Sequence, residues 1–187
     1  MNYSGNTIHE LLKSSLSSIE KPAQYIGNEF NAVNKDFNNS IFRIVISYPD
    51  LYEIGMSNLA IKILYELINK NPNYLCERVF HPRPDFVKIL KEKEVPLFSL
   101  ESHNPINTFD MIGFSLGYEL SYTSVLSILN LGKIPIFNID RSDKDPIVIA
   151  GGPCTTNPLP MSSFIDLFVI GEGEEVVFEI IDKYKLA

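Results

Sequence analysis

Four short segments place small, hydroxylated and acidic residues where an apolar run gives way to a loop. Residues 48–57, Tyr-Pro-Asp-Leu-Tyr-Glu-Ile-Gly-Met-Ser, set Asp50 and Gly55 at the start of a helix. Gly55 would let backbone approach a ligand closely, and Ser57 or Asn58 could cap that helix. Residues 113–122 end a buried run in Ser115 and Leu116; such a serine either donates to a ligand or satisfies local backbone. Residues 150–158 put Gly151 and Gly152 directly after Ile147, Val148 and Ile149. Paired glycines there clear side chains from a strand tip, giving either a floor for a flat ligand or a tight turn. Residues 170–175 join Gly171, Glu172 and Gly173 to an acidic helix start, where Glu174 and Glu175 suit the helix dipole. Together these loops describe a broad glycine-rich shelf with polar edges. Its chemistry is that of holding a large planar ligand, because no catalytic acid, base or nucleophile stands out.

These loops need a scaffold, and the hydrophobic pattern supplies one. Short β-branched runs at 42–47, 75–79, 111–116, 146–150 and 167–170 alternate with stretches of helical spacing at 57–69, 84–93, 122–131 and 174–185. That alternation predicts an α/β fold, an open doubly wound, mostly parallel five-stranded sheet of flavodoxin-like order. Ligands of such sheets collect outside the carboxyl ends of the strands, where all four loops fall. Two proline-marked runs, 96–100 and 134–139, are candidate edge strands. Residues 1–40 form an N-terminal extension, a helix carrying Ile8, Leu11, Leu12, Leu16 and Ile19 followed by an Asn-rich stretch that is either a covering arm or a flexible tether. Residues 41–187 form the α/β domain.

Composition excludes several functions. With 187 residues and 45% hydrophobic content the chain suits one compact unit. A net charge of -7, from 16 basic and 23 acidic residues, offers no footprint for nucleic acid. The two cysteines, Cys76 and Cys154, are far apart, which argues against a zinc site, a disulfide scaffold or a self-contained iron–sulfur cluster. No secretory signal or long apolar span is present, so a cytoplasmic protein without membrane contact is expected. The phosphate-loop pattern is absent, and Gly171-x-Gly173-x-x-Val176 lacks the third glycine of a dinucleotide fingerprint. A phosphoacceptor receiver domain would need acids beside Asp50 and an aspartate where Ser115 ends the third strand.

At these loops the chain resembles cobalamin-binding domains, whose pattern is D-x-H-x-x-G after the first strand, a Ser-x-Leu-like element after the third and Gly-Gly after the fourth. The matching residues are Asp50-Leu51-Tyr52-Glu53-Ile54-Gly55, Ser115 and Gly151-Gly152. Taken with residues 21–29, residues 151–154 and Gly171-Glu172-Gly173-Glu174-Glu175, the order and spacing resemble the N-terminal region of cobalamin-binding-domain radical SAM proteins, from around Glu20 onward. The resemblance implies a cobalamin held by Asp50, Tyr52, Gly55, Ser115, Leu116, Gly151, Gly152, Gly171, Glu172 and Gly173, with no metal ligand among them. It further implies S-adenosylmethionine and a 4Fe-4S cluster in a radical SAM domain, the partner of this one, that is absent from this sequence.

One departure bears on the cofactor: Tyr52 stands where the pattern has the histidine that ligates cobalt, and tyrosine is a poorer ligand. His9, His81 and His103 lie outside the motif. Two alternatives remain open at this point. The domain is a vestigial docking or substrate-presenting module, with exposed apolar groups at Tyr25, Phe30 and Phe37, or it holds another flat ligand such as a flavin through Tyr118 and Tyr122.

Overall fold

Alternate residues of a strand face opposite sides of its sheet, and here both sides are apolar. The computed structural model describes residues 5–186; residues 1–4, inside the predicted extension, and Ala187 lie outside that range. Five strands, β1 (Phe42–Ser47), β2 (Tyr74–Arg78), β3 (Met111–Ser115), β4 (Ile147–Gly151) and β5 (Leu167–Phe168), pair in the order β2-β1-β3-β4-β5, every pair parallel. The doubly wound α/β architecture is the one expected.

Among the described residues six α-helices complete it: α1 (Gly5–Ser15), α2 (Tyr52–Ser57), α3 (Leu59–Asn69), α4 (Pro84–Glu92), α5 (Tyr122–Leu131) and α6 (Gly173–Tyr184). On one face Phe42, Ile44, Ile46, Met111 and Ile149 meet Ile61 and Ile68 of α3 and Val177 and Ile181 of α6. On the other Val45, Ile112, Phe114, Val148 and Ala150 meet Phe86 and Leu90 of α4 and Val125 and Ile128 of α5. Among the described residues no helix is long and apolar enough to cross a membrane.

Three local expectations are revised. The helix predicted over 57–69 is α3, which begins at Leu59, and Ser57 instead ends the separate short helix α2: Asn58 takes an extended backbone (ψ 126°) that ends α2, and its side chain accepts from Ile61 N at 3.2 Å to start α3. Ser57 turns back to the carbonyl of Ile54 instead of capping. The fifth strand is two residues long, since it pairs with β4 alone and the chain turns at Gly171, φ 108°. The proline-marked runs are not strands. Phe98 makes one isolated antiparallel bridge to Pro105, and 138–140 is a 3-10 turn.

The N-terminal segment is built into the core. Ile8, Leu12, Ile19 and Tyr25 are buried within the α4/α5 layer. Tyr25 stacks on Phe86 at 4.1 Å and Phe37 packs edge-on against Phe109 at 5.0 Å, so of the three aromatic residues expected to be exposed only Phe30, at 95%, is largely so. Farther on, the Lys35 ammonium donates to the carbonyls of Asn69, Asn71 and Tyr74, joining this segment to the end of α3 and the start of β2.

The outer edge of β2 is also closed. Leu100 N donates to Arg78 O at 2.8 Å, and the Glu101 carboxylate accepts from Arg78 N at 2.8 Å and from its Nε at 2.6 Å. A strand edge paired in this way cannot recruit another chain.

If residues 5–25 are core and not tether, Leu12→Ala will lower the unfolding free energy by about 2–5 kcal/mol, the usual cost of a buried leucine. Urea denaturation would measure it, and a change within ~0.5 kcal/mol would mark a detached segment.

Candidate functional site

The strand face beneath α3 and α6 lacks side chains at two neighbouring places. On β3 the positions facing that side are Met111, Gly113 and Ser115, and on β4 Ile147, Ile149 and Gly151, with Gly113 opposite Ile149 and Ser115 opposite Gly151. Glycine at 113 and 151 leaves a trough that the helices bridge without filling. The result is a cleft of about 520 Å³.

Ile44, Ile46 and Ile149 line its floor, and Ile61 and Leu64 of α3 face Val177 and Ile180 of α6 across it. At the carboxyl edge of the strands its mouth is formed by Ser115, Gly151, Gly152 and Thr156 on one side and by Gly171, Glu172, Gly173 and Glu174 on the other. No lysine, arginine or histidine lines it. Such a space suits a mainly apolar ligand with a polar part at the rim.

The glycines at the mouth do different things. Gly152 has φ 97°, and a Cβ there would lie 2.9 Å from Leu116 O, so the adjoining backbone requires this glycine whether or not a ligand is present. Gly171, φ 108°, meets nothing within 4 Å and faces open space. Added Cβ atoms at Gly151 and Gly173 would make ordinary contacts at 3.9 and 3.7 Å.

Six of the ten sequence-derived site residues therefore converge on one cleft: Ser115, Gly151, Gly152, Gly171, Glu172 and Gly173. The other four do not line it. Leu116 is 1% exposed and packs in the α4/α5 layer, while its backbone N donates to Gly151 O at 2.7 Å. Asp50 accepts from Leu51 N at 2.7 Å and, with its other oxygen, from the Tyr118 hydroxyl. That bond holds the Tyr118 phenol up at about 12.

The Tyr52 hydroxyl donates to Glu29 at 2.5 Å, and burial, followed by this carboxylate, pushes its phenol well above the ordinary range. Gly55 is a packing residue, since a Cβ would fall 2.1 Å from Cδ1 of Phe80. The loop after β1 is thus bonded into the protein itself.

Two of the three histidines are likewise engaged. His81 Nε2 lies 2.9 Å from Ser127 Oγ and His103 Nε2 lies 3.0 Å from Tyr25 O, and burial lowers the pKa of both. Among the described residues no group of three or more His, Cys, Asp or Glu side chains is placed to hold a metal ion.

Sequence reasoning missed Gly113, Thr156 and the apolar walls of the cleft. A signal for Gly113 was present, because an isolated glycine inside a strand often marks close approach of a ligand. The walls carried none, since isoleucine and leucine in those positions look like any core.

A family described as "Radical SAM proteins, N-terminal" matches residues 60–187. An uncharacterized protein of Methanocaldococcus jannaschii is 26% identical over 146 residues, which are 76% of this chain and 27% of that protein. The chain therefore spans little more than a quarter of that relative. A solved structure of a cobalamin-binding protein from Desulfitobacterium hafniense is similar over 78% of this chain and 60% of its own, at TM-score 0.46 and 17% identity.

The two kinds of glycine differ in a measurable way. Gly113→Ala places its Cβ 3.6 Å from Ile46 and Ile149, with no positive φ to oppose it, and will raise stability by roughly 0.4–1 kcal/mol. Gly55→Ala drives a methyl group into Phe80 and will lower stability by about 1–3 kcal/mol. Thermal and urea unfolding of both variants will show opposite signs.

Proposed function

The chain belongs to the N-terminal family of radical SAM proteins, and from that premise we propose that it is a corrinoid-holding module, seating the nucleotide tail of a cobalamin between α3 and α6 and its corrin ring on the glycine shelf. The observation that carries this reading is the shape of the cleft. It has an apolar interior of about 520 Å³ and opens between Gly151 and Gly152 on one side and Gly171 on the other. The ligand that suits it has an apolar arm and a broad, flat body that stays outside. The order of glycine and hydroxyl residues that resembles cobalamin-binding domains falls at this mouth.

Within the reading, Gly171 leaves room for the ring, and Ser115, Thr156 and Glu172 supply hydrogen bonds to its amide side chains. Tyr52 is bonded to Glu29 outside the cleft, so a bound cobalamin takes no lower ligand from it. When bound, the cobalamin would supply a cobalt centre able to carry a methyl group. S-adenosylmethionine and the 4Fe-4S cluster would belong to a radical SAM domain of the complete protein, acting in the cytoplasm.

A specific observation favours a second role for the same edge. Leu120, Leu159 and Ile170 are 84%, 78% and 66% exposed, and they lie in the loops after β3, β4 and β5 respectively. Large apolar side chains left exposed in these loops suit a covering partner. The radical SAM domain is the partner proposed, whether it closes over a corrin or docks on a domain that holds none.

Titration of the purified protein with hydroxocobalamin, followed through the corrin absorption bands with gel filtration to separate free ligand, tests the proposal. Saturable binding is expected, and Gly113→Val, which fills the trough floor, should weaken it at least about tenfold, in line with the cost of overpacking a fitted site. Tyr52→Phe should leave the bound spectrum unchanged. Absence of binding by folded protein would overturn the corrin reading and leave the docking role.

A further inference from the structure

The interior of the cleft and its mouth differ in hydrogen-bonding capacity. Every side chain that reaches the interior, from Ile44, Ile46 and Ile149 on the floor to Ile61, Leu64 and Val177 on the walls, is hydrocarbon. The polar side chains of the lining, Ser115, Thr156, Glu172 and Glu174, all stand at the mouth. Backbone offers nothing either. β1 pairs with β2 and β3, and β3 with β1 and β4, so the ladder groups of the floor are already engaged. Along the walls Ile61 N is taken by Asn58 Oδ1 at 3.2 Å, and Leu64, Val177 and Ile180 lie past the first turn, where amides bond within the helix; the free amides of the α6 start stand at the mouth, beside Gly173 and Glu174.

The floor also has a shape. At Gly113 the chains of Ile46 and Ile149 stand on either side, each 3.6 Å from the position a Cβ would take. Between them lies a narrow notch with no side chain at its base, which suits the edge of a flat ring.

We propose that this cleft selects among corrinoids by the base on the nucleotide tail, accepting a benzimidazole and discriminating against a purine. The inference rests on the corrin reading above and goes beyond it by naming which corrinoid. A dimethylbenzimidazole brings two methyl groups and a mostly apolar perimeter into the notch, and burial of each methyl group is favourable. An adenine base brings an exocyclic amine and additional ring nitrogens, which lose their water and find no partner among isoleucine, leucine and valine. Water does not readily rescue them, because an apolar cavity without polar partners stays dry.

The asymmetry has a general basis: a site that strands a polar group is penalised more than one that forgoes an extra apolar contact. Gly113 is the specificity-determining position, since it lies at the base of the notch and a Cβ there makes ordinary contacts of 3.6 Å with Ile46 and Ile149.

The test is a set of three titrations of the same protein, with cobalamin, with its adenine-tailed analogue and with tail-less cobinamide. Binding is followed by gel filtration and corrin absorbance. Cobalamin should bind tightest, the adenine analogue at least about tenfold more weakly, the order expected when a buried polar group is left unpaired, and cobinamide more weakly than cobalamin. Gly113→Ser, which places one hydroxyl on the floor, should narrow the gap between cobalamin and the adenine analogue while thermal unfolding shows the fold intact. Equal binding of all three corrinoids, or tighter binding of the adenine form, overturns the selectivity and leaves the corrin reading standing. No binding of any of them removes the corrin reading itself, and the selectivity with it.

Discussion

A central strand of a parallel sheet is buried on both faces, so any side chain it omits must be replaced by something else or leave a space. β3 is such a strand, paired with β1 and β4, and it carries Phe114 toward one layer and Gly113 toward the other. Close packing is the rule in protein interiors, with few voids larger than a water molecule. A space of about 520 Å³ over the middle of the sheet is therefore a departure that packing alone would remove. Glycine at strand positions 113 and 151 leaves two side chains out of the sheet surface there, and residues of α3 and α6 line the space above it. The loops at the carboxyl edge then decide what can enter.

The two faces of the sheet share the labour unequally. The α4/α5 face is filled, and α1 with the chain through Tyr25 adds to it, so Ile8 and Leu12 are as buried as the strand residues they touch. Edge protection comes from the same side of the molecule, where Glu101 takes the place of a neighbouring strand for Arg78. With one layer closed and the outer edge of β2 covered, the other layer can remain open without exposing a pairing edge there. The candidate binding cleft lies on the α3/α6 face.

The loop after β1 illustrates how a pattern can persist while its role changes. Asp50, Tyr52 and Gly55 keep the spacing seen in cobalamin-binding domains, yet Asp50 is held by Tyr118, Tyr52 by Glu29 and Gly55 by the ring of Phe80. A buried or half-buried polar group needs a partner. Here those partners come from the protein's own N-terminal segment and from the loop after β3. The loop consequently stiffens the wall next to the cleft without lining it.

The sequence by itself determined the five strands, their alternation with helices, a mostly parallel doubly wound order and the glycine-bearing loops at one edge, because these follow from local periodicity and from the chirality of βαβ connections. It also singled out Ser115, Gly151, Gly152, Gly171, Glu172 and Gly173, which line one cleft, since residues immediately after a strand can be recognised from the chain alone. Only the tertiary structure decided that Gly113 is a floor and Gly55 a packing contact, which depends on what stands opposite each of them. Only it decided that Asp50 and Tyr52 are engaged, by residues 68 and 23 positions away in sequence. Local pattern tells which residues lack side chains or carry polar ones. Whether the resulting gap is filled or the polar atom satisfied is settled by distant parts of the chain, through contacts that no periodicity encodes.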